Sequence, residues 1–367
     1  MQLLKELLRL LIIKKVMKYK IFGSKTGLRV SELALGTGTF GTKWGYGSQP
    51  EEAQKVFDQY LEAGGNFIDT ADGYQLGESE ELLSKMIADK RQNLVLATKY
   101  TMGGNELLTT GNSRKNLIRS VEASLKRLNT DYIDLYWAHL SDGQTPIEEI
   151  VRGFDDLVRD GKILYAGFSN FPAWRIANAS LMADLRGWSP IVGIQIEYNL
   201  IERTPDRELL PMAEALGLGV AFWSPLAGGS LTGKYRNPES EETFRKKEWN
   251  GYLLKGEEGS RETAIIDTLV QIAEEKNVKV GQVALAWLRQ KHNQSSLSTV
   301  TILGVKNLTQ LDDNLESLSV ILSNEQIQQL NEVSNIELGS PHEVIANSQQ
   351  RIFGENSGLM IQKTPVA

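Results

Sequence analysis

No cysteine occurs anywhere in the chain, which removes thiol nucleophiles, disulfides and cysteine-ligated metals in one step. Histidine is nearly as scarce. Only three occur among 367 residues, at His139, His292 and His342, and no two are spaced to share a helix face, so no metal site is expected. Long apolar runs are missing too. Nothing approaches the ~18 residues that mark a membrane-spanning helix, so no transmembrane segment is expected. Nor is there an excess of basic charge. The formal net charge is −6, which argues against a nucleic-acid partner and leaves any anion to be held by local geometry. Chemistry falls to oxygen and nitrogen groups with a single central histidine at most, and a cytoplasmic location is expected.

What is present is ample apolar material, 41% of residues, enough for a full core in one large domain or two smaller ones. Residues 1–16, MQLLKELLRLLIIKKV, would make a short, basic amphipathic helix. Charges interrupt its apolar stretch and no small-residue cleavage site follows, so it is a poor signal peptide. It reads as an extension, or an artefact of the assigned start, ahead of a domain beginning near Met17; an interfacial anchor or partner-binding helix is the alternative. The main domain is expected over 17–340, with 341–367 as a tail or substrate loop.

Short β-branched runs recur along the chain: Leu33–Gly36, Asn66–Asp69, Leu94–Lys99, Tyr132–His139, Ile163–Ser169, Ile191–Tyr198, Leu218–Ser224 and Thr299–Leu303. One helical pattern fits between each pair of the first seven. Over Glu51–Ala63 the apolar residues Ala53, Val56, Phe57, Tyr60 and Leu61 keep a 3.6-residue period, and over Ser113–Leu128 Ser113 is placed as an N-cap. Pro146 and Pro172 each suit the first turn of a helix. The long gap before the eighth run holds two helices, near Arg261–Lys276 and Val280–Lys291, and a polar stretch, Tyr235–Ser260, of the kind that forms a functional lid or stays disordered. Tyr19–Val30, with Gly23 and Gly27 as turn signals, reads as a hairpin. Eight strands alternating with helices and never reversing predict a closed (β/α)₈ barrel, a TIM barrel in the α/β class. GTGTFG at 36–41 lacks the spacing and following helix of a dinucleotide-binding fingerprint, so a Rossmann fold is disfavoured.

The C-terminal strand ends of such a barrel carry its chemistry. The second run ends NFIDTADGY, giving Asp69 and Tyr74; the third ends at Lys99 and the fourth at His139. Read singly, Asp69 and Lys99 form a structural ion pair and His139 is a satisfied core histidine. Four polar groups converging from three neighbouring strands favour a site instead. Carbonyl reduction needs a hydride donor and a proton donor to the developing alkoxide. A tyrosine with a pKa near ~10 is a weak acid, and a nearby Lys99 ammonium, held charged by Asp69, is expected to lower it. His139 can donate a hydrogen bond that aligns the carbonyl oxygen.

These four residues, with FIDTADGY, LATK, YWAH, GFSN, QIEYN and FWSPLAGGSLTGKY, closely resemble the aldo-keto reductase superfamily, most of all the bacterial branch that also resembles potassium-channel β subunits. The resemblance runs from about Met17 to about Ser340. It implies the catalytic set Asp69, Tyr74, Lys99 and His139, NADPH as cofactor and a small carbonyl substrate. The channel subunits carry asparagine where this chain has His139, which points to the enzyme side. A slowly turning NADPH-binding sensor is one alternative, and a lyase using Lys99 as a Schiff base is another.

The resemblance also implies a cofactor set. Ser169, Asn170 and Gln195 would hold the nicotinamide carboxamide and Trp223 would stack on its ring, with Gly38 and Thr39 beside them. Ser224, Pro225, Leu226, Ala227 and Lys234 would wrap the pyrophosphate. Gly304, Lys306, Gln310, Asp313 and Asn314 would take the adenosine side, where the helix expected over Asn307–Leu318 turns its N-terminus toward a phosphate. Local readings stand beside these: Ser169 and Asn170 as a cap for the helix at Pro172, Trp223 as a core aromatic, Asn314 as an exposed helix residue. Trp44, Tyr46, Trp137 and Trp174 line an aromatic substrate pocket or serve as packing.

Overall fold

The computed structural model describes residues 17–236, 259–292 and 295–354. Residues 1–16, most of the polar 235–260 stretch and the last part of the tail lie outside the described residues. Strands β1 (Tyr19–Ile21) and β2 (Arg29–Ser31) pair antiparallel as the expected hairpin. The barrel strands follow: β3 (Leu33–Gly36), β4 (Phe67–Asp69), β5 (Val95–Tyr100), β6 (Ile133–Ala138), β7 (Ile163–Ser169), β8 (Ile191–Glu197), β9 (Gly219–Trp223) and β10 (Thr299–Gly304). They hydrogen-bond in sequence order and all run parallel. β10 returns to β3, from Thr301 beside Leu33 to Gly304 beside Gly36, and closes the ring. The chain is a (β/α)₈ barrel.

Helices cover the outside where the apolar period placed them. α1 (Pro50–Glu62) buries Ala53, Val56, Phe57 and Tyr60, and carries Glu51 and Glu52 in its first turn, where carboxylates suit the helix dipole. After α2 (Glu78–Ile87), α3 (Arg114–Leu128) begins at Ser113, whose hydroxyl accepts from the Asn116 amide. Pro146 and Pro172 sit one position earlier than expected. They are N-caps, with extended ψ of 135° and 143°, before α4 (Ile147–Arg159) and α5 (Ala173–Arg186). A proline there turns the chain into the helix but has no side chain to cap it, and neither Ser169 nor Asn170 supplies that cap.

The hairpin plugs the N-terminal end of the barrel. Phe22, wholly buried, stands edge-on to Phe67 at 6.0 Å and to Trp137 at 6.2 Å between ring centroids. Gly193 and Gly219 make room for it, since a Cβ on either would come within 2.5 or 2.8 Å of the Phe22 ring. Trp137 is therefore barrel core and does not line a pocket, and Gly167 gives way to its ring in the same manner. Apolar rings fill the barrel interior at this end, and the polar candidates gather at the opposite mouth. Among the described residues, no helix is long and apolar enough to cross a membrane.

Phe22→Ala should lower unfolding free energy by about 3–5 kcal/mol, the range for deleting a buried aromatic. Denaturant titration checks this, and a loss under about 1 kcal/mol would show that the plug is dispensable.

Candidate active site

Strand register brings the four sequence-predicted groups together. Asp69 is the last residue of β4 and pairs with Ala97 of β5; Lys99 lies two residues further up and pairs with Trp137 of β6. His139 follows β6 directly, with its backbone N–H on the Tyr100 carbonyl. Tyr74 comes from the turn after β4. The Lys99 ammonium, fully buried, donates to Asp69 Oδ2 at 2.6 Å, to the Thr70 carbonyl at 2.7 Å and to the Tyr74 hydroxyl at 3.1 Å. An ammonium has three protons, and all three are engaged. Asp69 Oδ1 accepts from Gln195 Nε2 at 2.8 Å. The His139 ring stands edge-on to the Tyr74 ring, 5.9 Å between centroids, and the Trp44 ring does the same at 6.0 Å.

Electrostatics follow from burial. Burial would lower the Lys99 ammonium, but Asp69 and Tyr74 outweigh it and hold the group above its ordinary value. The Tyr74 hydroxyl is also raised, and here the sequence expectation is corrected. Burial dominates, and the Lys99 ammonium opposes it without overcoming it. His139 is pushed well below its usual value by burial and by the Lys99 charge, so its imidazole is neutral with one N–H to give.

Around this centre the remaining candidates fall into two groups. Ser169, the last residue of β7, and Gln195, two residues before the end of β8, are buried neighbours. Asn170, held at φ +54°, donates to the His139 carbonyl and to Ser169 Oγ, both at 3.0 Å, and accepts from Trp223 Nε1 at 3.2 Å. Trp223 ends β9 half-buried. Gly38 lies on the Tyr74 ring, where a Cβ would stand 3.6 Å away, and Thr39 donates to the Val305 carbonyl. From Ser224 to Gly229 the backbone is repeatedly left-handed, at Ser224, Ala227, Gly228 and Gly229, a form that makes concave nests of N–H groups. Pro225 and Leu226 sit within that curl, and Lys234 folds back so that its ammonium approaches the Gly229 position.

The adenosine-side candidates form a separate cluster past β10. A Cβ at Gly304 would meet nothing within 4 Å. No packing demands glycine there, and the space beside it is open to a bound group. Lys306 places its ammonium over the Tyr46 ring, 5.2 Å from the centroid. The helix expected over Asn307–Leu318 is α-helical only over Leu308–Leu315, ending in a 3₁₀ turn. Its N-terminus is less available than expected. Glu52 accepts from the Leu308 amide, Asn307 from that of Gln310, and the Gln310 side chain from that of Lys306. Asp313 pairs with Lys279, and Asn314 is half-buried. The amides of Leu308 and Gln310 in the first turn are therefore already engaged.

Sequence reasoning missed three features. Asp72 is buried with Oδ1 lacking a hydrogen-bond partner; burial, then the nearby Glu80 carboxylate, raises it to about 7. Glu80 is itself buried, bonded by Thr98 and Arg127. Gln75 is wholly buried beside Tyr74. Nothing in the spacing of these polar residues foretold their burial.

The sequence pattern of the Aldo/keto reductase family matches residues 32–335. The chain is 33% identical to norsolorinic acid reductase of Aspergillus flavus, covering 92% of this chain and 86% of that protein. It is 34% identical to an NADP(+) aryl-alcohol dehydrogenase of Phanerodontia chrysosporium, over 95% and 91% of the two chains. An uncharacterized oxidoreductase of Bacillus subtilis, YrpG, shares 35% identity over 86% of this chain and 96% of its own.

The raised Asp72 sets a pH dependence. A carboxyl held near 7 when folded and near ~3.9 when unfolded favours the folded state at low pH, and that contribution is lost as pH rises toward 7. Asp72→Asn should gain about 2–3 kcal/mol over the parent between pH 5 and pH 8. Urea titrations at both values check this, and a pH-independent difference would contradict it.

Proposed function

This chain belongs to the aldo/keto reductase family and is an oxidoreductase, and from that premise we propose that it reduces aromatic aldehydes and ketones to alcohols with NADPH, Tyr74 giving the proton. The observation that carries this reading is the saturated Lys99 ammonium. Because Tyr74 Oη accepts from Lys99, its own proton is left to give at the mouth it shares with His139. When bound, the nicotinamide supplies the hydride to the carbonyl carbon. Tyr74 donates its proton to the carbonyl oxygen as negative charge builds there, and Lys99 stabilises the tyrosinate left behind. Neutral His139 donates its N–H to the same oxygen and fixes its position. A hydroxyl held above its ordinary value keeps its proton throughout the neutral range.

The residues fit a nicotinamide dinucleotide. The open space at Gly304, the left-handed curl at 224–229 and the Ser169, Asn170 and Gln195 amide and hydroxyl cluster supply, in turn, close approach, backbone N–H groups and polar partners for a carboxamide. The aromatic preference is drawn from the named relatives and from the Trp44 ring that stands edge-on to Tyr74. A Schiff-base lyase is disfavoured, since Lys99 has no free proton to lose and Asp69 holds it charged. A slow sensor is disfavoured by the retained histidine.

Preference for NADPH rests on Lys306, which has no carboxylate at ion-pair distance among the described residues. A charge-assisted contact to the 2′-phosphate is worth roughly 1.5–3 kcal/mol, or about 10- to 150-fold in affinity. The wild-type protein should consume NADPH with benzaldehyde-type substrates. Lys306→Ala should weaken NADPH by that factor and leave NADH nearly unchanged, as read by cofactor fluorescence titration. Equal weakening of both cofactors would remove Lys306 from phosphate recognition.

A further inference from the structure

After Tyr74 the chain makes an unusual choice. Gln75 and Leu76 are both left-handed, at φ 51° and 57°, before Gly77 at 93°. This conformation is unfavourable for residues with a side chain. The burial is inverted as well: polar Gln75 is 0% exposed and apolar Leu76 is 71% exposed. A turn driven by hydrophobic burial would do the reverse. The inversion is explained by what the Gln75 amide holds. Nε2 donates to the carbonyls of Gly38 at 3.1 Å and Tyr46 at 2.9 Å, and Oε1 accepts from the Trp44 N–H at 2.9 Å. All three partners belong to the connection between β3 and α1.

The rest of that connection is anchored by other groups. Thr39 and Ser48 donate to the carbonyls of Val305 and Lys306, and Glu78 accepts from the amides of Thr42 and Lys43. Gly47, at φ +150°, allows the two limbs of the loop to cross, since a Cβ there would lie 1.9 Å from the Gly41 carbonyl. Gln75 holds the stretch carrying Trp44 and Tyr46, together with the Gly38 carbonyl. Gln75 is also the covalent neighbour of Tyr74, so the clamp ties the Trp44 backbone to the segment that carries Tyr74, whose ring the Trp44 ring meets edge-on.

We propose that Gln75 is a positioning residue that fixes the Trp44 ring beside Tyr74 and thereby makes the site selective for flat aromatic carbonyls over small aliphatic ones. This rests on the carbonyl-reductase reading above. Gln75 touches no reacting atom; it acts through Trp44.

The test uses the full chain and its Gln75→Met, Trp44→Ala and doubly substituted variants, with NADPH and either benzaldehyde or propanal. Each single substitution should raise KM for benzaldehyde about tenfold, a loss equivalent to one or two net hydrogen bonds. KM for propanal should rise far less than KM for benzaldehyde, and the double variant should be no worse than either single one. Equal losses on both aldehydes, or additive losses, would overturn the proposal. Limited trypsinolysis supplies a readout that needs no activity. The exposed Lys43 precedes the Trp44 N–H that Gln75 holds, so cleavage after Lys43 should accelerate in Gln75→Met; an unchanged rate would overturn the clamp. If Gln75→Met does not fold, unchanged aldehyde selectivity in Trp44→Ala alone refutes the assignment. A wild-type protein inert toward both aldehydes would sink the carbonyl-reductase reading, and the cleavage rate would still decide the clamp.

Discussion

Everything at the barrel mouth depends on one buried ion pair, Lys99 with Asp69. Removing both charges from water is costly, and their attraction offsets that cost only when every remaining proton and lone pair is satisfied. Here that condition is met: the ammonium gives its three protons to Asp69, Thr70 and Tyr74, and Asp69 uses its second oxygen on Gln195. The pair thereby dictates the register of β4 against β5 and the path of the chain from Asp69 to Tyr74. It also orients the Tyr74 hydroxyl, because an oxygen that accepts from Lys99 must turn its own proton away.

The barrel keeps this arrangement in place by asymmetry. One end is closed by the hairpin, with Phe22 seated where Gly193 and Gly219 leave room, so the interior below the site is packed with aromatic rings. The other end carries the polar groups, Asp69, Lys99 and His139 at or just past strand ends and Tyr74 in the turn after β4. Loops that must place side chains accurately are themselves stitched down, as the β3 connection is by Thr39, Ser48, Glu78 and Gln75. Rigid strands set the chemistry and clamped loops set the shape of the mouth.

Most of this architecture was legible in the residues. The alternation of β-branched runs with 3.6-period segments located all eight barrel strands, and the strand-end positions of Asp69, Lys99 and His139 pointed to one convergent site. The shortfalls have physical reasons. Periodicity marks where a helix lies but not whether a proline is its cap or its first residue, as at Pro146 and Pro172. The acidity of Tyr74 could not be read from a neighbouring lysine alone, because burial is a tertiary property and outweighs that charge. The helix after β10 promised free amides, yet Glu52, more than 250 residues away in sequence, takes one of them. Gln75 looked like an ordinary turn residue, and only the folded loop reveals its three partners.

The proton-donor role of Tyr74 is the centre of the account, and single-turnover transfer from NADPH to an aromatic aldehyde in Tyr74→Phe tests it most directly. The substitution keeps the ring that packs on Gly38, Trp44 and His139 and removes only the hydroxyl. Loss of a positioned general acid slows such a step on the order of 10²–10⁴-fold, and the account predicts a fall at least that large with NADPH affinity unchanged. A transfer rate within about tenfold of wild type, well short of the range for a lost general acid, would contradict it.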